Sequence, residues 1–577
     1  MRFRFSIRRC FLSALCLFAG LQGRAQAYPQ QYFRAPLDIP LNLSGNFGEL
    51  RTNHFHAGLD IKTEQREGLP VYAAAEGYVS RIKVSSVGYG YALYIDHPAG
   101  YTTVYGHLLS YHGAIAAYTR SQQYASESFS VDLFPAPGEL PVNKGDLIGL
   151  SGNSGGSGGP HLHFEIRDTK SENPMNPLLF GLEVKDNLPP SISGIWVVPL
   201  SDSSMVQGSG GIRTYNTNVA TGKCALEKRD PIVVYGDIGF AIHTADKLDG
   251  NANRCGVYRI ELHVDSLLVF AQTLDQLDFA TSRAINAHTV YEKFKKERTS
   301  IHRSYRLVNN PLSIYDNLLN DGMVSFRDGK RHKVSYSVMD IRGNTSTLEF
   351  VVESAKSFSG SAPKKEIPQA VFHYEKDNAL DLSDIRVFID AFSLYEDLDF
   401  NIYRKTPGMD GAITPTYIVA SPYVPVHAHY QLGIKAPDLQ EADRDKALVV
   451  RWDPEKDRLY PEPTTYEDGW LLAESQYFGY FSVMIDKTAP TISSIDFSAA
   501  MKNHPSFSFR VRDSLSDVSE IIPRIDGQWA LMEYDAKTDR LTYYFDSERI
   551  SHGKHQFELT VRDGRGNEKT FSAPFEW

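Results

Sequence analysis

The chain has 577 residues, a length that fits roughly four domains of about 150 residues each. Apolar residues make up 42% and charged residues 23%, which excludes a disordered or fibrous class. The formal net charge of −10 argues against an extended nucleic-acid surface.

Residues 1–27 read as an export signal. Arg2, Arg4, Arg8 and Arg9 form a positive start, Phe11 to Ala19 a short apolar core, and Ala25-Gln26-Ala27 a small-x-small cleavage pattern. The apolar run is too short to span about 30 Å of hydrocarbon, and no later stretch reads as a transmembrane segment. The protein is therefore expected in the periplasm, at the cell surface or outside the cell. Removal of the signal leaves Cys224 and Cys255 as the remaining cysteines, and an even pair in an exported protein is expected to form a disulfide.

Residues 28–185 are rich in Gly, Tyr, Val and short alternating runs, and read as short strands with tight turns. Most of the remaining chain is strand-like as well. Residues 274–308 have helical spacing and charged pairs, so a helical excursion is expected there.

An internal repeat divides the later chain. Asp186-Asn-Leu-Pro-Pro-Ser-Ile-Ser193 matches Asp486-Lys-Thr-Ala-Pro-Thr-Ile-Ser493, and Val338-Met-Asp-Ile-Arg-Gly-Asn344 matches Val561-Arg-Asp-Gly-Arg-Gly-Asn567. Each first element is a Pro-bearing linker leading into a β-branched run. Each second element suits a turn that needs positive φ. Two sandwich modules follow, at 186–355 and 486–577, and both resemble bacterial immunoglobulin-like domains. Residues 356–485 form a further β-rich domain of unassigned type.

Three segments carry chemistry. In Pro160 to Arg167, a strand places His161, His163, Glu165 and Arg167 on one face and Leu162, Phe164 and Ile166 on the other. In Asn53 to Asp60, His56 and Asp60 can complete a site with one of those histidines. Two imidazoles, one carboxylate and an open position make a catalytic zinc set. In Tyr101 to Leu108, strand alternation turns Tyr101, Thr103, Tyr105 and His107 the same way. There is no HExxH helix, and Ser151 to Gly159 lacks the Lys-Ser/Thr ending of a phosphate loop.

Together these segments resemble the lysostaphin/LytM-type zinc endopeptidases, whose pattern is His-x-Gly-x-Asp, a Gly-His-Leu-like segment, then His-x-His. Here it reads His56-Ala-Gly-Leu-Asp60, Gly106-His107-Leu108 and His161-Leu-His163. Val71 to Gly77, Val142 to Asp146 and Ile148 to Gly152 resemble the accessory strands. The resemblance covers residues 40–180.

It implies a mainly β protein: an antiparallel β catalytic domain at 28–185, of the LytM-like, duplicated hybrid motif type, followed by the β modules. It implies one Zn²⁺ per chain, with His56, Asp60 and His163 as ligands and His107 and His161 as catalytic histidines. The implied activity is hydrolysis of peptidoglycan peptide cross-links by a zinc-activated water. The alternative is a non-catalytic LytM-like activator or scaffold for cell-wall amidases. The C-terminal modules would contact an envelope protein partner. Between His107 and Val142 the chain is longer than in compact members, and residues 113–140 are a candidate lid or groove wall.

Overall fold

In a computed structural model that describes residues 28–357 and 366–577, the N-terminal domain is built on an antiparallel sheet. The strands that position the site are β1 (Leu43–Gly45), β2 (Leu59–Lys62), β3 (Gly77–Val84), β4 (Tyr91–Asp96), β5 (Tyr101–Tyr111), β6 (Leu147–Ser151) and β7 (His161–Asp168). The principal spatial order is β1-β2-β7-β5-β4-β3, with β6 pairing along the outer part of β5. The expected export signal lies outside the described residues. Among the described residues no helix is long and apolar enough to cross a membrane.

β7 follows the alternation. Leu162, Phe164 and Ile166 are fully buried and join Leu59, Ile61 and Tyr105 in one core. Burial of each such side chain is worth about 1.5–3 kcal/mol. A slip of one residue would drive the histidines into that core, so the apolar face fixes the register. That register sets His163 opposite Asp60 on β2 and Gly106 on β5.

β5 departs from the alternation. Tyr105 points into the core against Phe164, with ring centroids 5.4 Å apart. Regular pleating would send His107 the same way. Instead the pairing of β5 with β4 slips by one residue between Leu108 and Tyr105, and His107 takes a φ of 58°. This is a β-bulge, which re-aims one side chain. It carries His107 to the face opposite Tyr105, and that corrects the simple alternating reading of Tyr101 to His107.

Residues 113–140 are largely structured. They form helix α1 (Gly113–Ala125) and a short strand, Val131–Leu133, that pairs with β3. α1 receives the last module: Tyr124 meets Trp529 edge-on at 5.3 Å, Arg120 pairs with Asp546 at 3.0 Å, and Glu127 with Arg524 at 3.2 Å.

Three further β-sheet modules follow, each around its own buried core. The first is built from Ser191–Pro199, Ile232–Ala245, Arg331–Met339, Thr345–Ser354 and their neighbours. The second has two five-stranded sheets between Asn378 and Ile485, and the last has two four-stranded sheets from Thr491 to Glu576. Asn46 exchanges hydrogen bonds with Gly256, Arg283 donates to the Gln476 carbonyl, and Lys446 donates to the Arg565 carbonyl. With the α1 contacts, these links close the four units into a ring.

Two expectations are corrected. The helical excursion is broken into a 3-10 turn (Ser282–Ala284) and short helices at Ile285–His288 and Tyr291–Glu297. Thr289 is extended, with ψ 160°, and Arg298 ends the second helix in the left-handed region. The β-branched pair Thr289-Val290 interrupts what the spacing alone would continue. Cys224 and Cys255 are both buried free thiols. Cys224 packs in the core of the first module and Cys255 against the N-terminal core, so they belong to different hydrophobic clusters. Burial pushes the Cys255 thiol up to about 12.

Candidate metal centre

The centre forms where β2 and β7 run side by side. Asp60 and His163 are directly opposed, and His56 reaches them from the turn before β2. Gly58 makes that turn possible: a Cβ there would lie 2.3 Å from the Phe164 carbonyl oxygen. The segment must therefore cross β7 as bare backbone.

His56 Nε2, His163 Nδ1 and Asp60 Oδ1 form a triangle with edges of 3.1, 2.9 and 3.0 Å. Four-coordinate zinc with bonds of about 2.1 Å holds its ligand atoms about 3.4 Å apart, close to these edges. All three side chains are buried. The donor set, two imidazole nitrogens and one carboxylate oxygen, matches zinc, so the residues present fit the ion the resemblance implies.

Each ligand is oriented from behind. The His56 Nδ1–H donates to the Asn46 carbonyl at 2.7 Å, leaving Nε2 free to coordinate. The His163 Nε2–H donates to Glu165 at 2.7 Å, leaving Nδ1 free. Glu165 in turn accepts from Arg167 Nε at 2.6 Å and from the Tyr89 hydroxyl at 2.5 Å. Tyr89 also stacks on His163, with centroids 4.9 Å apart. Arg51 Nη2 donates to Asp60 Oδ2 at 2.8 Å, which turns Oδ1 toward the histidines. Outer partners of this kind fix ring orientation and ligand basicity.

The electrostatics agree. Burial would raise both carboxyls. The three histidines outweigh it at Asp60, which stays well below the usual carboxylate range. Arg167 and His163 outweigh it at Glu165, which falls to about 2. Burial would lower His163, but hydrogen bonds to Asp60 and Glu165 lift it to about 9. The site is thus poised for positive charge.

His107 and His161 complete the constellation. The His107 Nδ1–H donates to the Ser154 carbonyl at 2.8 Å, and the His161 Nδ1–H to the Gly159 carbonyl at 2.8 Å. In both rings Nε2 keeps its lone pair. The rings lie 4.7 Å apart, and His161 Nε2 is 3.4 Å from Asp60 Oδ1. Burial, followed by the nearby His163 and His161, presses His107 down to about 3, so it is neutral at pH 7. Gly106 leaves room for this grouping, since a Cβ there would sit 3.3 Å from the His163 Cβ. His97, outside the motif, is a core residue bonded to the Glu76 carbonyl and to Thr103.

All five residues picked from the sequence therefore meet at one point. The supporting residues Asn46, Arg51, Tyr89 and Ser154 carried no motif. Glu165 and Arg167 were visible on the polar face of β7, without a role. Beside the centre a groove of about 460 Å³ runs between Leu108, Asn153 and Gly155 on one side and Glu533, Arg540 and Tyr544 of the last module on the other.

Residues 54–123 match the peptidase family M23 model, and residues 369–486 match a Zu5-like domain. The DD-carboxypeptidase/endopeptidase Mpg of Neisseria meningitidis serogroup B is 33% identical over 133 residues, 23% of this chain and 24% of that protein. An uncharacterized metalloprotease of Haemophilus influenzae is 33% identical over 157 residues, 26% of this chain and 28% of its own. The chain thus spans about a quarter of the curated relatives it matches. Among solved structures, a zinc-containing peptidase from Vibrio cholerae is 26% identical, with 26% of this chain and 39% of that chain covered and a TM-score of 0.19. The catalytic domain of lysostaphin from Staphylococcus simulans is 24% identical, with 23% and 87% covered and a TM-score of 0.18. The N-terminal part of the chain is thus similar to peptidase family M23, of the LytM type.

Proposed function

We propose that the protein is an exported zinc metalloendopeptidase that hydrolyses peptide cross-links of peptidoglycan. The observation that carries this reading is the convergence of five side chains. Three of them form a ligand triangle, and two imidazoles present Nε2 lone pairs beside it. A bare metal store has no use for the last two. An activator or scaffold that cuts nothing has no use for the set as a whole, which argues against the amidase-activator alternative.

His56, Asp60 and His163 would hold a zinc ion, which would supply Lewis acidity and make water a nucleophile near neutral pH. His107, neutral and fixed by Ser154, accepts a proton from the attacking water at Nε2 and passes it to the leaving amine. His161, fixed by Gly159 through Nδ1, donates to the oxygen that gains charge as the carbonyl becomes tetrahedral only in the form that carries a second proton, on Nε2. The bulge at β5 places the first of these groups and the regular pleat of β7 the second. The named activity of the Neisseria relative, DD-carboxypeptidase/endopeptidase, supports a peptidoglycan substrate for this chain.

The test is to incubate zinc-loaded protein with cross-linked muropeptides and follow release of uncross-linked products by mass. Cleavage is expected, and the His163→Ala variant should be inert. Turnover that survives this substitution would rule out the assigned centre. Zinc-loaded protein that leaves every cross-link intact yet stimulates an amidase would favour the activator.

A further inference from the structure

Two other carboxylate clusters occur outside the five-residue centre, and they are copies of each other. Asp186, Asp246 and Asp340 each bring one oxygen within 4.8 Å of the others, and so do Asp486, Asp513 and Asp563. In both, the first aspartate opens the Pro-bearing linker that enters a module. The third begins the Asp-x-Arg-Gly-Asn turn at that module's far end.

The local wiring is repeated too. Asn344 Nδ2 donates to the Asp186 carbonyl and to Asp340, and Asn567 Nδ2 to the Asp486 carbonyl and to Asp563. The second aspartate, Asp246 or Asp513, comes from the module itself.

Acidic clusters are common on protein surfaces, but these are not surface features. Asp246 and Asp486 are each only 2% exposed. Asp246 Oδ1, Asp486 Oδ2 and Asp513 Oδ1 are buried without a hydrogen-bond partner among the described residues. A buried carboxylate oxygen with no donor is costly, and two more carboxylates beside it add repulsion. No lysine or arginine forms an ion pair with Asp186, Asp246 or Asp340 among the described residues. Burial, with Asp186 and Asp340, pushes the Asp246 carboxyl up to about 8. At the second cluster Arg565 lies near Asp486 and Asp563, and it supplies part of the missing charge. A small cavity bounded by Asn176, Asp186, Asp246 and Gly256 adjoins the first cluster.

We propose that each cluster is a calcium site, with Asp186, Asp246 and Asp340 holding one ion and Asp486, Asp513 and Asp563 a second. All donors are oxygens, which selects a hard cation over zinc. Calcium takes six to eight oxygens in irregular geometry, so nearby backbone carbonyls and waters complete the shell, whereas magnesium demands a near-ideal octahedron. The ions tie the incoming linker to the end of the module it enters. The first fixes the catalytic domain against the module that follows it. The second fixes the Zu5-like unit against the last module, which returns to α1. The sites would set the closure of the ring without touching the catalytic centre.

The test is calorimetric titration of CaCl₂ into the full chain, stripped of metals and reloaded with one equivalent of zinc. Two calcium ions per chain are expected in the parent. One is expected in Asp246→Asn, one in Asp513→Asn and none in the double variant, with zinc content unchanged in all four. Calcium should raise the melting temperature of the parent, and that shift should vanish in the double variant. Without calcium, Asp246→Asn should melt at or above the parent, because a carboxyl that burial and its two neighbours disfavour in the charged form gives way to a neutral amide. Fewer than two calcium ions in the parent, which needs no variant to fold, would overturn the proposal. So would a double variant that still binds two.

Discussion

His56 meets His163 in the same way as His288 meets His302. In each pair an Nε2 lies 3.1 Å from the partner's Nδ1, and all four rings are buried. The pairs are near neighbours in space, since the ring of Phe55, next to His56, lies 6.1 Å from His288. Their surroundings differ. The first pair has Asp60 in its triangle and Glu165 behind it. The second has the Tyr315 hydroxyl, 3.1 Å from His288 Nδ1, and the Arg303 charge. His163 is accordingly lifted to about 9. Burial, with His243 nearby, presses His302 to about 3, and burial, with His302 and Arg303, holds His288 well below its usual value. Two imidazoles in contact do not make a cation site; the carboxylates do.

The sharpest way to break this comparison is to remove one ring from each pair. His163→Ala should abolish cleavage and bring zinc well below one equivalent per chain, because a ligand and the bridge to Glu165 go together. His302→Asn should keep zinc and cleavage. Zinc analysis and muropeptide turnover on both variants decide it. Equal zinc loss in the two would mean that the second pair also holds metal.

The next effect tests the bulge. His107→Ala should keep zinc and lower turnover by about 10²–10⁴-fold, the range for losing a general acid or base. A non-glycine residue at φ 58° carries strain of about 1–3 kcal/mol. His107→Gly should therefore be at least as stable as the parent in denaturant unfolding, and equally inactive. A glycine variant that unfolds early would mean that the His107 ring supports the fold rather than the reaction.

Acid separates the pairs again. His302 is neutral when folded at pH 7 and titrates near 6.5 when unfolded. Its folded value is depressed, so the stability from keeping it neutral is fully present above about 6.5. It drains away as pH falls towards about 3. At pH 4 the loss should be on the order of 3 kcal/mol from this ring. Denaturant unfolding of the parent and of His302→Asn between pH 7 and pH 4 should give a shallower slope in the variant. Parallel slopes would remove His302 as the cause.

How far the sequence was legible follows from these same residues. β7 could be read outright, because Leu162, Phe164 and Ile166 bury one face and leave His161 and His163 on the other. The metal triangle was legible through the His-x-Gly-x-Asp spacing, which Gly58 enforces. His107 was found as a motif residue but aimed wrongly, because period-2 reasoning has no place for a bulge. His288 and His302 were invisible, being brought together by tertiary packing over 14 positions without a motif. The two cysteines misled for a related reason: an even count says nothing about which core each thiol joins. The linker repeat was legible as a repeat, but only the fold showed that its aspartates face a third from the module.

The smallest expected effect turns the first pair partway into the second. Glu165→Gln keeps the shape and an acceptor for His163 Nε2–H, but removes the buried negative charge that favours a cation. Zinc affinity should fall by about 10–100-fold, as for other outer partners of metal-bound histidines. Tyr89→Phe keeps the ring stacked on His163 and removes only the hydroxyl that donates to Glu165, so its loss should sit at or below about tenfold. Competition with a zinc chelator ranks the two. In both variants, turnover at saturating zinc should stay closer to the parent than in His107→Ala, since neither residue handles a proton in the reaction. If Glu165→Gln binds zinc as tightly as the parent, Asp60 alone separates a metal-binding pair of histidines from a merely buried one.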